Sequence, residues 1–201
     1  DIKIPNKPIE KLEIMAEKAK QKYDLHVVEL KKSKDAIPYI KQLFELVNIA
    51  YKDLYGVVPL TEKQMEAYTK QYFSFVNPDF INLVVDKNDS LVGFAVILPS
   101  LSKAVKKSRG RLFPFGFVRI LRAIKKNTYI DLYIVAVKPE FQRTGVSMII
   151  LDHMTKAAIK NGITNAIGSP QLETNRKVLS FWRFYDTRNH RRRRCYVKKI
   201  V

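Results

Sequence analysis

The sequence contains only one cysteine, Cys195, among 201 residues. An internal disulfide is therefore impossible, which fits a reducing compartment, and we expect a cytoplasmic protein. No apolar run approaches the roughly 20 residues that a membrane-spanning helix needs, and no secretory signal pattern is visible. Because the chain begins at Asp1 rather than at Met, we also expect an upstream region that is missing from this sequence.

Several signatures of catalysis and metal binding are also absent. No group of His, Cys and Asp residues has the spacing of metal ligands, so no metal is expected. No Ser-His-Asp arrangement or nucleophile elbow is visible, and neither the P-loop nor the three-glycine dinucleotide fingerprint occurs. His153 falls inside a predicted helix, where we expect a packed or surface histidine rather than a base.

Acidic residues are scarce relative to basic ones. Lys and Arg number 37 against 19 Asp and Glu, which gives a formal net charge of +18. Residues 100–127 contain many Lys and Arg and no acid, and residues 188–199 are similarly basic. A field of this sign attracts phosphates, nucleic acid, acidic lipid or an acidic protein without choosing among them.

The hydrophobic patterning predicts one α+β domain with a mixed central sheet flanked by helices. We expect residues 1–24 to form an N-terminal helix or linker, and residues 25–201 to form the domain, with a basic insert at about 100–127. Helices are predicted at 8–23, 35–55, 61–76, 117–126, 145–162 and 173–188, and strands at 25–31, 81–86, 91–98, 129–137, 163–169 and 192–201.

The turn between the strand at 129–137 and the next helix has the features of an anion site. The first turn of a helix presents N–H groups without helical partners and the positive end of the helix dipole. Gly145 would let a ligand approach the backbone, Arg143 adds a cation, and Thr144 and Ser147 add hydroxyls. The turn therefore predicts a cradle for phosphate or pyrophosphate. The alternative is an ordinary strand-to-helix turn with a polar cap.

The same turn resembles the acetyl-CoA-binding motif of the GNAT superfamily of N-acetyltransferases. The pattern Val-x-Pro-x-x-Gln-x-x-Gly-x-small is present as Val137, Pro139, Gln142, Gly145 and Ser147. Serine stands at the last position, where the family usually has Gly or Ala. The element order from residue 25 onward is similar to that fold. The resemblance implies a single GNAT-type acyl-CoA N-acyltransferase domain that takes acetyl-CoA or another acyl-CoA as co-substrate.

The resemblance also assigns cofactor-binding roles. Backbone groups of the strand would hydrogen-bond the pantetheine arm, the loop amides would hold the pyrophosphate, and an asparagine on a later helix would contact the pantetheine. In this sequence these residues are Val135, Ala136 and Val137 for the strand, Gln142, Arg143, Thr144, Gly145, Val146 and Ser147 for the loop, and Asn175 for the helix.

Acylation of an amine needs a base that removes the amine proton. Asp131 is the candidate, because relatives often carry a carboxylate on this strand. A period of two would place it on one face with Tyr133, Val135 and Val137, where burial would raise its pKa. The alternative places Asp131 at the mouth of the strand, paired with a Lys or Arg of the insert.

Departure of the thiolate is helped by an acid. The family often uses a Tyr at the position of Trp182, and an indole N–H is far too weak an acid for this role. Tyr185, three residues later, is therefore the candidate acid. The alternative is that Phe181, Trp182 and Tyr185 serve only as packing aromatics.

The resemblance therefore implies an N-acetyltransferase in which an amine of unknown identity attacks the thioester directly in a ternary complex. The alternative is a catalytically inactive GNAT-like module that binds nucleic acid or an acidic partner through the insert and the C-terminal Arg run. The insert could also be a lid over an acidic acceptor or a helix on a membrane surface. It could equally be a segment that only packs against the domain and leaves its basic side in solvent. If it binds RNA, the stacking groups would be Phe113, Phe115 and Phe117.

Overall fold

A mixed sheet forms the centre of the molecule. The computed structural model describes residues 1–72, 76–194 and 196–198. Within them the strands are β1 (Ile2–Lys3), β2 (His26–Val27), β3 (Ile81–Val85), β4 (Leu91–Pro99), β5 (Tyr129–Val137), β6 (Asn165–Gly168) and β7 (Asp186–Thr187). Their order in the sheet is β2-β3-β4-β5-β6-β1-β7. Only the β5–β6 pair among them is parallel.

Helices lie on both faces of this sheet. They are α1 (Glu10–Tyr23), α2 (Ile40–Tyr51), α3 (Glu62–Tyr72), α4 (Ser102–Lys107), α5 (Gly116–Lys125), α6 (Val146–Lys160) and α7 (Arg176–Leu179). Short 3-10 segments cover Ser33–Tyr39, Pro78–Phe80, Pro139–Phe141 and Ser180–Phe184. In the part of the chain that is described, no helix is long and apolar enough to cross a membrane.

The core packs on both faces of β3 and β4, and every residue of β3 is buried. Leu83 and Phe94 face α2, which buries Leu46 against them. Val84 and Ala95 project from the opposite face and pack against α6. The predicted α+β class with a mixed sheet is therefore confirmed, as is the predicted β3–β4 hairpin.

Two predicted elements near the C-terminus are wrong. The helix expected at 173–188 is only the four residues of α7, followed by the 3-10 turn Ser180–Phe184. Consecutive aromatic residues are poor helix formers, and tertiary packing decides their conformation here. The strand expected at 192–201 is absent at the described positions 192–194 and 196–198. Successive side chains of a strand point to opposite faces, so alternate arginines would share one face and repel one another. Cys195 and residues 199–201 lie outside the described part.

The N-terminal 24 residues pack into the domain. β1 lies between β6 and β7, and Ile2 pairs with Ala166 on one side and with Thr187 on the other. Helix α1 then packs along α6, where Leu12 contacts Met148 and Leu151. The segment thus supplies part of the sheet and of the core.

We predict that Leu12→Ala destabilises the domain, because Leu12 is fully buried between α1 and α6. The expected loss is about 2 to 5 kcal/mol in the free energy of unfolding. Urea unfolding followed by circular dichroism measures it. Ile14→Ala is the matched control on the same helix, since Ile14 is 48% exposed. Equal losses in the two variants would contradict packing of α1 on α6.

Candidate active site

The sheet opens between its two parallel strands. The β5–β6 ladder runs from Tyr129–Asn165 to Leu132–Gly168 and ends there, although β5 continues to Val137. The Ser169 hydroxyl donates a 2.7 Å hydrogen bond to the Leu132 carbonyl oxygen. Pro170 follows and has no N–H with which to continue a ladder. The edge of β5 beyond Leu132 therefore faces the opening instead of a strand.

A β-bulge lies at the same point. The pairing of β5 with β4 moves from Val96–Ile134 to Ile97–Leu132, so that Tyr133 is the extra residue of β5. Residues directly opposite in a ladder share a face, and an extra residue reverses the alternation. The expectation that Asp131 shares a face with Val135 and Val137 is therefore wrong.

Asp131 projects from the α2 face of the sheet, where its ladder partner is Leu98. Burial raises the pKa of the Asp131 carboxyl, and a side-chain hydrogen bond with Ser100 acts in the opposite direction. The direction is the one expected from the sequence. Among the described residues, Asp131 makes no ion pair with the cations of the insert.

The β5 backbone beyond the bulge already has one side-chain partner. The Tyr51 hydroxyl, at the end of α2, donates a 2.7 Å hydrogen bond to the Val135 carbonyl oxygen. Burial raises the pKa of Tyr51. The phenol therefore stays protonated at neutral pH and can keep donating. Tyr51 thus holds one of the carbonyls expected to meet the pantetheine.

The opening between β5 and the segment after β6 forms an apolar cavity of about 390 Å³. Its walls come from β5, α2, α6, β1 and the segment after β6, and apolar side chains dominate them. Characteristic lining residues are Ile4, Leu54, Val135, Met154, Leu172 and Trp182.

The predicted anion cradle lies where β5 meets α6. Arg143 has φ 72° and is exposed, and Gly145 has φ 98° and caps α6. The first amides of α6, from Val146 and Ser147, have no acceptor within the helix. The Thr144 hydroxyl is engaged inside the loop, because it donates a 2.7 Å hydrogen bond to the Phe141 carbonyl oxygen.

Gly145 is also a packing position. A Cβ atom at this residue would lie 2.6 Å from the Cβ of Ala19 on α1. The glycine therefore allows α1 to approach, in addition to adopting a positive φ. The sequence had suggested only that Gly145 makes room for a ligand.

Asn175 lines the cavity and begins α7. Its side-chain oxygen accepts a hydrogen bond from the Val178 amide at 3.4 Å, as an N-cap does. The residue that was expected to contact pantetheine thus also fixes the start of a four-residue helix.

Tyr185 reaches the cavity from the end of the following 3-10 turn. Its hydroxyl lies 2.7 Å from the Thr155 hydroxyl of α6. Burial raises the pKa of Tyr185, so the phenol is protonated at neutral pH. Trp182 also lines the cavity, and its indole N–H donates to the Gln171 side-chain oxygen at 2.9 Å.

The structure therefore brings Val135, Asn175 and Tyr185 to one cavity and leaves Asp131 outside it. Tyr51 was missed from the sequence. In the sequence, Tyr51 is simply an aromatic residue at the end of a predicted helix. No neighbouring residue indicates that its hydroxyl contacts Val135, 84 positions away.

The chain matches the model of the acetyltransferase (GNAT) family over residues 40–186 and belongs to that family. An aminoglycoside acetyltransferase from an uncultured soil metagenomic sample, solved with sisomicin, has a TM-score of 0.54 at 12% identity, covering 90% of this chain and 99% of that one. A Trypanosoma brucei acetyltransferase has a TM-score of 0.50 at 13% identity, covering 87% and 100%. These structures share the fold.

Two curated relatives are longer than this chain. Protein YghO of Escherichia coli K12 is 24% identical over 79% of this chain and 42% of its own length. A bacterial ceramide synthase of Caulobacter vibrioides is 26% identical over 59% of this chain and 31% of its own length. The chain thus spans less than half of either relative.

We predict that Gly145→Ala lowers the free energy of unfolding by about 1 to 3 kcal/mol, because a side chain strains the positive φ and meets Ala19. Adding Ala19→Gly removes the contact but not the strain. The double variant should therefore be more stable, by at least about 0.5 kcal/mol, than the sum of the single effects. Denaturant unfolding of all four proteins gives the coupling. Simple additivity would exclude direct contact between the two residues.

Proposed function

We propose that this chain is an acyl-CoA-dependent N-acyltransferase. The observation that supports this most is the break between β5 and β6, which opens an apolar cavity beside a strand whose following loop ends at the α6 N-terminus. An acyl-CoA has an apolar acyl group, an extended pantetheine and a pyrophosphate, and this arrangement offers a matching surface for each.

The co-substrate would be held mainly by backbone groups. Within the Gln142–Ser147 loop, the Gln142 and Thr144 amides already donate to the Pro139 and Phe141 carbonyl oxygens. The Val146 and Ser147 amides and the α6 dipole would therefore hold the pyrophosphate, and the exposed Arg143 adds a cation. The β5 edge from Val135 to Val137 would receive the pantetheine amides. At Val135 the pantetheine would compete with the Tyr51 hydroxyl for the carbonyl oxygen.

The reaction would form a C–N bond and break the thioester C–S bond. The neutral amine nitrogen attacks the thioester carbon, and the amine proton passes to the Asp131 carboxylate. Because Asp131 lies outside the cavity, a bridging water would carry that proton. The departing thiolate takes a proton from Tyr185, whose raised pKa keeps it protonated before the reaction.

The ligand in the cavity would carry an apolar chain beside the pantetheine arm, because apolar side chains dominate the walls of this space of about 390 Å³. One relative is named for making ceramide, an amide of a fatty acid with a long-chain amino alcohol. We therefore favour an acyl chain or an amphiphilic amine as the occupant.

Calorimetry with acetyl-CoA and with a long-chain acyl-CoA tests the proposal, and thiol release with added amines tests turnover. Binding of the long-chain thioester should be tighter. Leu172→Trp should reduce this preference, because Leu172 lines the cavity, whereas the matched control Leu179→Trp should not, since the exposed Leu179 lies outside it.

Failure to bind either thioester at high micromolar concentration would overturn the proposal. RNA binding with a steep salt dependence, without acyl-CoA binding, would instead support the inactive binding module.

We predict that Asp131→Asn lowers turnover by about 10² to 10⁴-fold without lowering stability at neutral pH. The raised pKa means that folding favours the protonated acid. Wild-type stability is therefore lost as the pH rises through that pKa, whereas activity is gained. The asparagine variant lacks both changes.

Rate–pH profiles and thermal unfolding check this prediction. Glu45→Gln, on the exposed side of α2, is the control acid. An unchanged rate–pH profile in the Asp131 variant would remove Asp131 from the mechanism.

A further inference from the structure

The basic insert forms a helical hairpin made by α4 and α5. It leaves the sheet at the end of β4 and returns at the start of β5. Its base is closed by the Asn127 side-chain amide, which donates to the Ser100 carbonyl oxygen at 2.6 Å, and by the Ser100 amide, which donates to the Tyr129 carbonyl oxygen at 2.9 Å. The hairpin is thus joined to the sheet on both sides.

Contacts inside the hairpin fix its tip. The Arg119 guanidinium on α5 donates to the Lys107 carbonyl oxygen at the end of α4, at 3.2 Å. Gly116 begins α5 against the Arg111 carbonyl, where a Cβ atom would overlap that backbone. The connection between the two helices is therefore held in one conformation relative to them.

The tip exposes a contiguous apolar surface. Phe113 is 78% exposed and Phe115 is 66% exposed, and the Phe113 ring lies 5.8 Å from that of Phe117. Helix α5 continues this surface, because Phe117, Ile120, Leu121 and Ile124 recur at helical spacing. The other large exposed apolar side chains of the hairpin are Val105, Leu112, Val118 and Leu121.

Cations surround this apolar surface and no acid interrupts them. The hairpin has nine basic residues between positions 101 and 126 and no Asp or Glu. On α5, Arg119 and Arg122 project away from Phe117, whereas Lys125 lies one turn after Leu121 and flanks the apolar side chains. The nine are Lys103, Lys106, Lys107, Arg109, Arg111, Arg119, Arg122, Lys125 and Lys126.

We infer that the α4–α5 hairpin docks the protein on an anionic lipid bilayer. Phe113 and Phe115 enter the boundary between headgroups and acyl chains, and α5 lies in the plane of the interface with its apolar side down. The Lys and Arg side chains extend to the lipid phosphates, as long cationic side chains do at membrane surfaces.

The composition of the patch favours lipid over nucleic acid. Single-stranded nucleic acid stacks on aromatic faces, but here aliphatic Leu112, Val118 and Leu121 share the exposed surface with the phenylalanines. A bilayer receives aliphatic and aromatic side chains alike, and its anionic headgroups match a segment that contains no acid. This inference does not depend on the proposed enzymatic reaction.

Vesicle co-sedimentation of the full chain tests the docking. Phosphatidylcholine vesicles with a third phosphatidylglycerol should bind at least about tenfold more tightly than phosphatidylcholine alone, and added salt should weaken the binding. Absence of binding to the anionic vesicles would overturn the inference.

Charge variants separate local docking from general attraction by a chain of net charge +18. Arg122→Glu with Lys125→Glu should weaken vesicle binding at least about tenfold. Lys11→Glu with Lys18→Glu makes the same charge change on exposed positions of α1 and should have a much smaller effect. Equal losses would overturn docking through the hairpin.

Aromatic variants test insertion. Phe113→Ser with Phe115→Ser should weaken binding about tenfold, whereas Val58→Ser with Tyr196→Ser, at exposed positions elsewhere, should not. In a Phe115→Trp protein, brominated lipid should quench the fluorescence of the introduced tryptophan. In a Tyr196→Trp protein, brominated lipid should leave the fluorescence of the introduced tryptophan unchanged. Equal quenching in the two tryptophan proteins would overturn the inference. So would a Phe113→Ser, Phe115→Ser protein that loses RNA binding but keeps vesicle binding.

Discussion

The end of the β5–β6 ladder at Leu132–Gly168 is the constraint on which the rest of the site depends. Two parallel strands that stay paired leave no room between them, and their backbone groups have no capacity for a ligand. Here Ser169 takes the last ladder position with its hydroxyl and Pro170 prevents a further bond. The bulge at Tyr133 lies at the same level. The cavity and the open β5 edge follow from this break, whereas the bulge places Asp131 on the α2 face, outside the cavity that Tyr185 lines.

The N-terminal segment supports the opposite walls of that opening. Ile2 of β1 and the following Ile4 line the cavity, and β1 pairs with β6 below the break. Ala19 of α1 rests against Gly145, so the loop that begins α6 is shaped partly by α1. A change in this segment would therefore reach both the apolar cavity, which Tyr185 also lines, and the proposed pyrophosphate loop.

Local signals predicted a large part of this architecture. The β3–β4 hairpin, the long α6 and the strand–loop–helix unit around Gly145 have strong periodicity and turn residues. The bulge at Tyr133 depends on how β4 pairs with β5, and a period of two cannot reveal it. β1 has only two residues, too few for any periodicity, and its position is set by β6 and β7. Pro170 was the one readable sign that a strand must end beside the site.

The proposed pyrophosphate loop at the α6 N-terminus and the basic α4–α5 hairpin lie at opposite ends of β5. This separation determines whether they could act together. Nine strand residues rise roughly 27 Å, so the α6 N-terminus and the α4–α5 hairpin are too far apart for one anion to engage both. At physiological ionic strength, charges at this distance are screened from each other, because the Debye length is about 8 Å. A nucleotide at one end would therefore not compete with lipid phosphates at the other. An apolar chain in the cavity lies between these ends, so a bilayer at the hairpin and a water-soluble co-substrate at the loop could be engaged at the same time.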